Sequence, residues 1–70
     1  MENEFSEILR DFLCDNNLTQ VDFAKAIGVK QSQVSEWLKG KAKPGYDTLK
    51  SMAIAYDVSL EYLLGINENY

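Results

Sequence analysis

Apolar residues recur along this chain at helical spacing. Phe5, Ile8, Leu9, Phe12 and Leu13 fall at i, i+3, i+4, i+7 and i+8, one stripe of a first helix of about three turns. Asn16-Asn17 ends it. Thr19-Gln20-Val21-Asp22 is a Ser/Thr-x-x-acid capping signal in which Asp22 can reach back to the cap. It opens a short second helix with Phe23, Ala24 and Ile27 on its inner face, and Gly28 stops it as a left-handed residue. A third helix is predicted over Gln31 to Lys39, ending at Gly40 by the same device. Lys41 to Gly45 reads as a loop, because Pro44 disfavours helix at Lys43. A fourth helix carries Leu49, Met52, Ala53 and Tyr56. Ser59 caps a short fifth with Leu60, Leu63 and Leu64, closed by Gly65. Alternating strand patterns, repeats and low-complexity stretches are absent. The fold class is therefore all-α, with a core of Ile8, Leu9, Phe12, Phe23, Ile27, Val34, Trp37, Leu49, Met52, Ala53, Leu60 and Leu63. The helical spacing of Phe5, Phe12, Phe23 and Trp37 makes them core rather than a stacking platform. Cys14, next to Leu13, is expected to pack as well.

Seventy residues, 46 % of them hydrophobic, fit one small domain over 1–70, with its folded part at about 5–66 and a short tail at 67–70. A domain of this size buries only roughly 60 % of its unfolded surface, so nearly every apolar residue is needed inside. No apolar run is long enough for a membrane span, and Met1-Glu2-Asn3-Glu4 lacks a signal peptide's basic flank, so a cytoplasmic location is expected. The single Cys and the absence of His remove an internal disulfide, a Cys/imidazole zinc site, and Ser–His or Cys–His chemistry. No enzyme activity, cofactor or metal is expected.

The net charge of −4 argues at first against a polyanionic partner. The charges are segregated, however. Residues 1–24 set Arg10 against six carboxylates (−5), residues 25–50 set six lysines against Glu36 and Asp47 (+4), and residues 51–70 carry −3. A basic middle third inside an acidic chain points to an anion-binding face, the plain alternative being a set of solvated lysines.

The spacing of Gln20, Ala24, Gly28, Val34 and Trp37 is that of a DNA-binding helix-turn-helix. A small residue is needed where two steeply crossed helices approach, and Ala24 supplies it. With Val34 at 0° and about 100° per residue, Trp37 and Leu38 mark the buried side of the third helix. Lys39, Ser32 and Glu36 lie at about 140°, 160° and 200°, with Gln31 and Ser35 at about 60° and 100° and Gln33 at about 260°. The outward face is thus built of hydrogen-bonding groups with no apolar member. Base edges in the major groove ask for such groups, since Gln pairs bidentately with adenine and Glu accepts from the cytosine amino group.

The run Leu18-Thr19-Gln20 … Phe23-Ala24 … Ile27-Gly28-Val29 … Gln31-Ser32-Gln33-Val34-Ser35 … Trp37 … Gly40-Lys41 … Pro44 … Leu49 … Val58 to Gly65 resembles the phage repressor and Cro-type (XRE-like) helix-turn-helix family over about residues 5–66. The resemblance implies a five-helix, lambda-repressor-like domain that binds operator DNA as a two-fold dimer and regulates transcription, repressor-like. Some relatives are antitoxins or sporulation and prophage switches. By the same resemblance, Gln20 contacts phosphate and braces Gln31. Gln31, Ser32, Ser35 and Glu36 are the expected base-reading set. Lys39, Lys41 and Lys43 match the phosphate-contacting end and loop, joined by Lys30 and Gln33 at the start of the recognition helix.

Four positions depart from the family pattern. Lys30 replaces the usual Ser or Thr cap, a loss of about 0.5–2 kcal/mol unless Gln33 compensates or phosphate holds Lys30. Glu36 stands where many relatives carry a basic or neutral group, so near DNA it reads a cytosine or repels the backbone. Leu38 stands where Glu is frequent, and Asp57 where Gly normally ends the fourth helix, Asp tolerating the left-handed region less well than Gly.

Two functions follow: a sequence-specific duplex-DNA binder, or a protein-interaction module (antirepressor, adaptor or antitoxin-like) on the same scaffold, the latter motivated by the −4 charge and Glu36. A palindromic operator and a weak homodimer through the C-terminal part, with Tyr62, Ile66 and Tyr70 as its apolar groups, are expected for the first.

Overall fold

All five expected helices are present in the computed structural model, which describes residues 4–66. They are α1 (Glu4–Asp15), α2 (Gln20–Ile27), α3 (Gln31–Leu38), α4 (Tyr46–Tyr56) and α5 (Leu60–Leu63). No strand occurs among the described residues, and no helix there is long and apolar enough to cross a membrane. Tyr70 and the tail 67–70 lie outside the described residues.

Local chemistry sets the helix ends. The Thr19 hydroxyl accepts from the Asp22 N–H at 3.0 Å, and the Ser59 hydroxyl from the Tyr62 N–H at 3.0 Å. Asp22 does not complete the reciprocal half of the box; its charge acts instead on Tyr56. At the other ends one device repeats five times. A left-handed residue (Asn17, Gly28, Gly40, Asp57 or Gly65) follows the last turn, and the next N–H reaches back five residues. These bonds run from Leu18 to Leu13, Val29 to Ala24, Lys41 to Glu36, Val58 to Ala53 and Ile66 to Glu61, at 2.9–3.1 Å. Turns this tight let five short helices share one core.

That core is drawn from every helix: Phe5, Leu9, Phe12 and Leu13 of α1, Phe23, Ala24 and Ile27 of α2, Val34 and Trp37 of α3, Met52 of α4 and Leu63 of α5, with Val58 between the last two. Phe12 is its aromatic centre. Its ring lies 6.3 Å from Phe23, 5.4 Å from Tyr56 and 6.4 Å from Tyr62, while Phe23 and Tyr56 stack at 5.5 Å. Four helices are joined through one side chain.

Several expectations need correction. Ile8 is only half-buried, because it stands about 100° around α1 from Leu9. Its Cδ1 lies at the chain's exit from α5, 3.3 Å from where a Cβ on Gly65 would sit. Leu49, Ala53 and Leu60 line the edge of the core rather than its centre. Cys14 is exposed, not packed. Tyr62 turns inward onto Phe12, so the exposed apolar groups at the C-terminal side are Leu64 and Ile66. Ser6, which the apolar stripe skipped, is fully buried, and no buried side-chain polar atom among the described residues lacks a hydrogen-bond partner.

Candidate nucleic-acid interface

The α2–α3 unit turns on Ala24 and Gly28. The Ala24 carbonyl accepts from the N–H groups of both Gly28 and Val29, folding the chain back sharply after Ile27. Gly28 has φ 76° and ψ 32°, and a Cβ placed on it would meet nothing within 4 Å. Its left-handed backbone, not a lack of space, is what demands glycine there. Ala24 itself is buried in the core with Phe23 and Ile27 of the same helix.

Val34 and Trp37 fix the rotation of α3. Val34 is fully buried, and Trp37 meets the Phe5 ring edge-on at 6.4 Å and 80°. With that side held, Gln31, Ser32, Glu36 and Lys39 are all exposed along the opposite face. Ser35 is half-buried and lines a groove of about 420 Å³ with Arg10, Leu13, Leu18, Gln20, Leu38 and Lys39. Three sequence-predicted residues (Gln20, Ser35 and Lys39) therefore meet around one depression beside the polar face.

At the start of α3 the Gln33 side-chain oxygen accepts from the Lys30 N–H at 3.1 Å. A lysine side chain cannot accept a hydrogen bond, so only this half of a capping box forms. Of the two ways left open to make good the missing cap, Gln33 provides one. Gln31 Nε2 donates to Gln20 Oε1 at 3.3 Å, tying the first residue of α3 to the first of α2. The Gln31 oxygen then remains as the acceptor end of its amide, and the Gln20 nitrogen as the donor end of its own.

The lysines divide. Lys30 is at the N-cap of α3, while Lys39 and Lys41 flank Gly40 just beyond the helix, and all three are exposed. Lys43 is exposed too, but it borders a separate groove of about 200 Å³ with Glu4, Phe5, Pro44, Leu49, Leu63 and Leu64. One residue that sequence reading passed over reaches α3 from outside the motif: Arg10 donates to the Leu38 carbonyl at 2.9 Å. Its signal was present in the sequence as the one base among residues 1–24.

A helix-turn-helix family model matches residues 9–63, which takes in everything from mid-α1 to the end of α5. The chain belongs to the helix-turn-helix family. Among curated relatives, it is 32 % identical over 65 residues to the HTH-type transcriptional activator BcrR of Enterococcus faecalis, covering 93 % of this chain and 32 % of that protein. It is 31 % identical over 65 residues to the uncharacterized HTH-type transcriptional regulator YobD of Bacillus subtilis, covering 93 % and 58 %. Against the uncharacterized HTH-type transcriptional regulator YqaE of the same organism it is 35 % identical over 60 residues, covering 86 % and 52 %. The chain thus spans from a third to somewhat over half the length of these helix-turn-helix relatives. No solved structure gives a significant match.

Proposed function

We propose that residues 5–66 form the sequence-specific, duplex-DNA-binding unit of a transcriptional regulator, with α3 seated in the major groove. The observation that carries this reading is the unbroken polar face of α3, braced at its first residue by the Gln20–Gln31 bond. A helix presenting Gln31, Ser32, Ser35 and Glu36 offers donors and acceptors suited to base edges. Gln31 suits adenine and Glu36 the cytosine amino group. Gln20, Lys30, Gln33, Lys39, Lys41 and Lys43 are the proposed phosphate contacts. The regulatory names of the relatives support the same class over an interaction module. Repression follows where the bound site overlaps a promoter and the domain excludes the polymerase.

A single recognition helix reads only a few base pairs. Two of them, one DNA turn (about 34–36 Å) apart on a palindromic site, supply operator affinity in this motif. We place the dimer contact on the exposed Leu64 and Ile66. Selection from random duplexes, followed by mobility shift across a salt series, tests the reading. A palindromic consensus is expected, with a slope of log K against log salt of about −5 to −7 for six to eight neutralised phosphates per dimer. Absence of any retarded duplex at low salt would overturn it.

A further inference from the structure

We infer that Arg10 is a positioning residue for DNA recognition: from α1 it closes the C-terminal end of α3 and sets the path of Lys39-Gly40-Lys41. This rests on the DNA-binding reading above. An α-helix leaves its last carbonyls without partners and concentrates partial negative charge there. In α3 three of those carbonyls are served locally, Ser35 by the Lys39 N–H, Glu36 by the Lys41 N–H and Trp37 by the Gly40 N–H. Leu38 receives its donor from 28 residues away, the Arg10 guanidinium at 2.9 Å. The last turn of α3 holds no basic residue of its own, so Arg10 also brings the cation that a helix C-terminus favours.

The bond sits where it can matter for binding. Leu38 is followed at once by Lys39 and then by Gly40, whose φ of 77° reverses the chain into Lys41. A carbonyl held at Leu38 fixes the peptide plane from which Lys39 departs. Arg10 shares its groove with Gln20, Ser35 and Lys39, residues of the proposed interface on both α2 and α3. Phe5, a turn and a half earlier on α1, meets Trp37 edge-on. α1 therefore grips α3 twice, once under its inner face and once at its end. The grip at the end is polar and exposed, so its loss leaves the core intact.

Arg10→Met keeps most of the alkyl stem and removes the donor; Arg10→Lys keeps one donor and the charge, which a single bond to one carbonyl can use. For Arg10→Met we expect affinity to fall about five- to ten-fold for the selected duplex and about two- to three-fold for a random one. Loosened Lys39 and Lys41 hold the phosphates less well and seat α3 less accurately, while the salt slope holds because neither lysine is removed. Amide exchange at Gly40 and Lys41 should quicken, and Arg10→Lys should restore most of each quantity. Equal losses on both duplexes with a slope shallower by about one per subunit would overturn the proposal, making Arg10 a phosphate ligand. A lower melting temperature with unchanged specificity would overturn it too, leaving a stabilising contact only. If the unaltered protein bound no duplex, the DNA reading would fail, while unchanged exchange at Gly40 and Lys41 in Arg10→Met would independently sink the hold on α3.

Discussion

The Gln31 side chain donates to Gln20 across 3.3 Å, so the two residues that open α3 and α2 share one amide–amide bond. Each glutamine then has its remaining polar atoms oriented by the other, which lowers the entropy lost in the proposed contact of Gln31 with a base. On a selected duplex, Gln31→Ala should cost about 1–3 kcal/mol and relax one base position. Gln20→Ala should cost less, and the double variant should fall short of the sum because the groups share a bond. Strict additivity in fluorescence-anisotropy titrations would show that the brace does not operate on DNA.

Glu36 is exposed on the same face with no apolar neighbour along it. Close to phosphates a carboxylate is repelled unless a cytosine amino group satisfies it. Glu36→Gln is therefore expected to change the preferred base at one position and to raise affinity for random DNA. If selection returns the same consensus and random-duplex affinity stays put, Glu36 faces solvent in the complex.

Asp57 holds φ 53° and ψ 45° at the end of α4, in the region where a side chain is strained by roughly 1–2 kcal/mol. Glycine removes that strain but loses more entropy on folding, by about 0.5–1 kcal/mol. Asp57→Gly should thus gain about 0.5–1 kcal/mol and raise the melting temperature by several degrees in a domain of this size. Asp57→Ala should lower it. Calorimetry of the three proteins checks both directions.

The same arithmetic of helix faces explains how far the sequence could be read. Ala24, Gly28, Val34 and Trp37 were legible because spacing within the motif fixes both the turn and the rotation of α3. Asp57 was legible because the capping device is local. Cys14 was misjudged by its nearness to Leu13 along the chain, although one step turns a helix by about 100° and carries it out of the core. Ser6 made the opposite error, a polar residue on the buried face between Phe5 and Leu9. Arg10 stands out in the sequence as the one base among residues 1–24, but its partner Leu38 does not, since no periodicity links residues 28 apart. The bond depends on where α1 lies across α3, which packing of Phe5 on Trp37 decides.

Tyr56 reports on the core through pH. Burial, and then the Asp22 charge, raise its phenol above the ordinary value of 10.0. The folded state therefore holds this proton more tightly than the unfolded chain does. Stability from that difference is fully present below about pH 10 and is lost as pH rises through the folded-state value. Tyr56→Phe keeps the stacked ring against Phe23 while removing the titration, so its stability should fall less steeply above pH 10. Parallel alkaline limbs for the two proteins in urea melts would contradict the assignment.

The proposed dimer rests on what α5 leaves uncovered. Leu64 and Ile66 are 53 % and 72 % exposed, whereas Tyr62 is turned inward onto Phe12. Two such side chains per subunit form a patch well below the roughly 800 Å² per partner of a stable complex. Free protein should therefore sediment as a monomer at micromolar concentration. On the proposed palindromic operator, DNA would hold two subunits one turn apart and so raise their effective concentration enough for a weak contact to act. Cooperative two-to-one complexes are expected, with little of the one-to-one species. Ile66→Asp places like charges where the two patches would meet, and Leu64 beside it gives no compensation. That variant should bind half-sites as before yet lose the cooperativity, so that one-to-one and two-to-one complexes appear in sequence as protein is added. Cooperative binding that survives Ile66→Asp and Leu64→Asp alike would move the contact to another surface. A one-to-one complex persisting at high concentration of the unaltered protein would remove the dimer altogether.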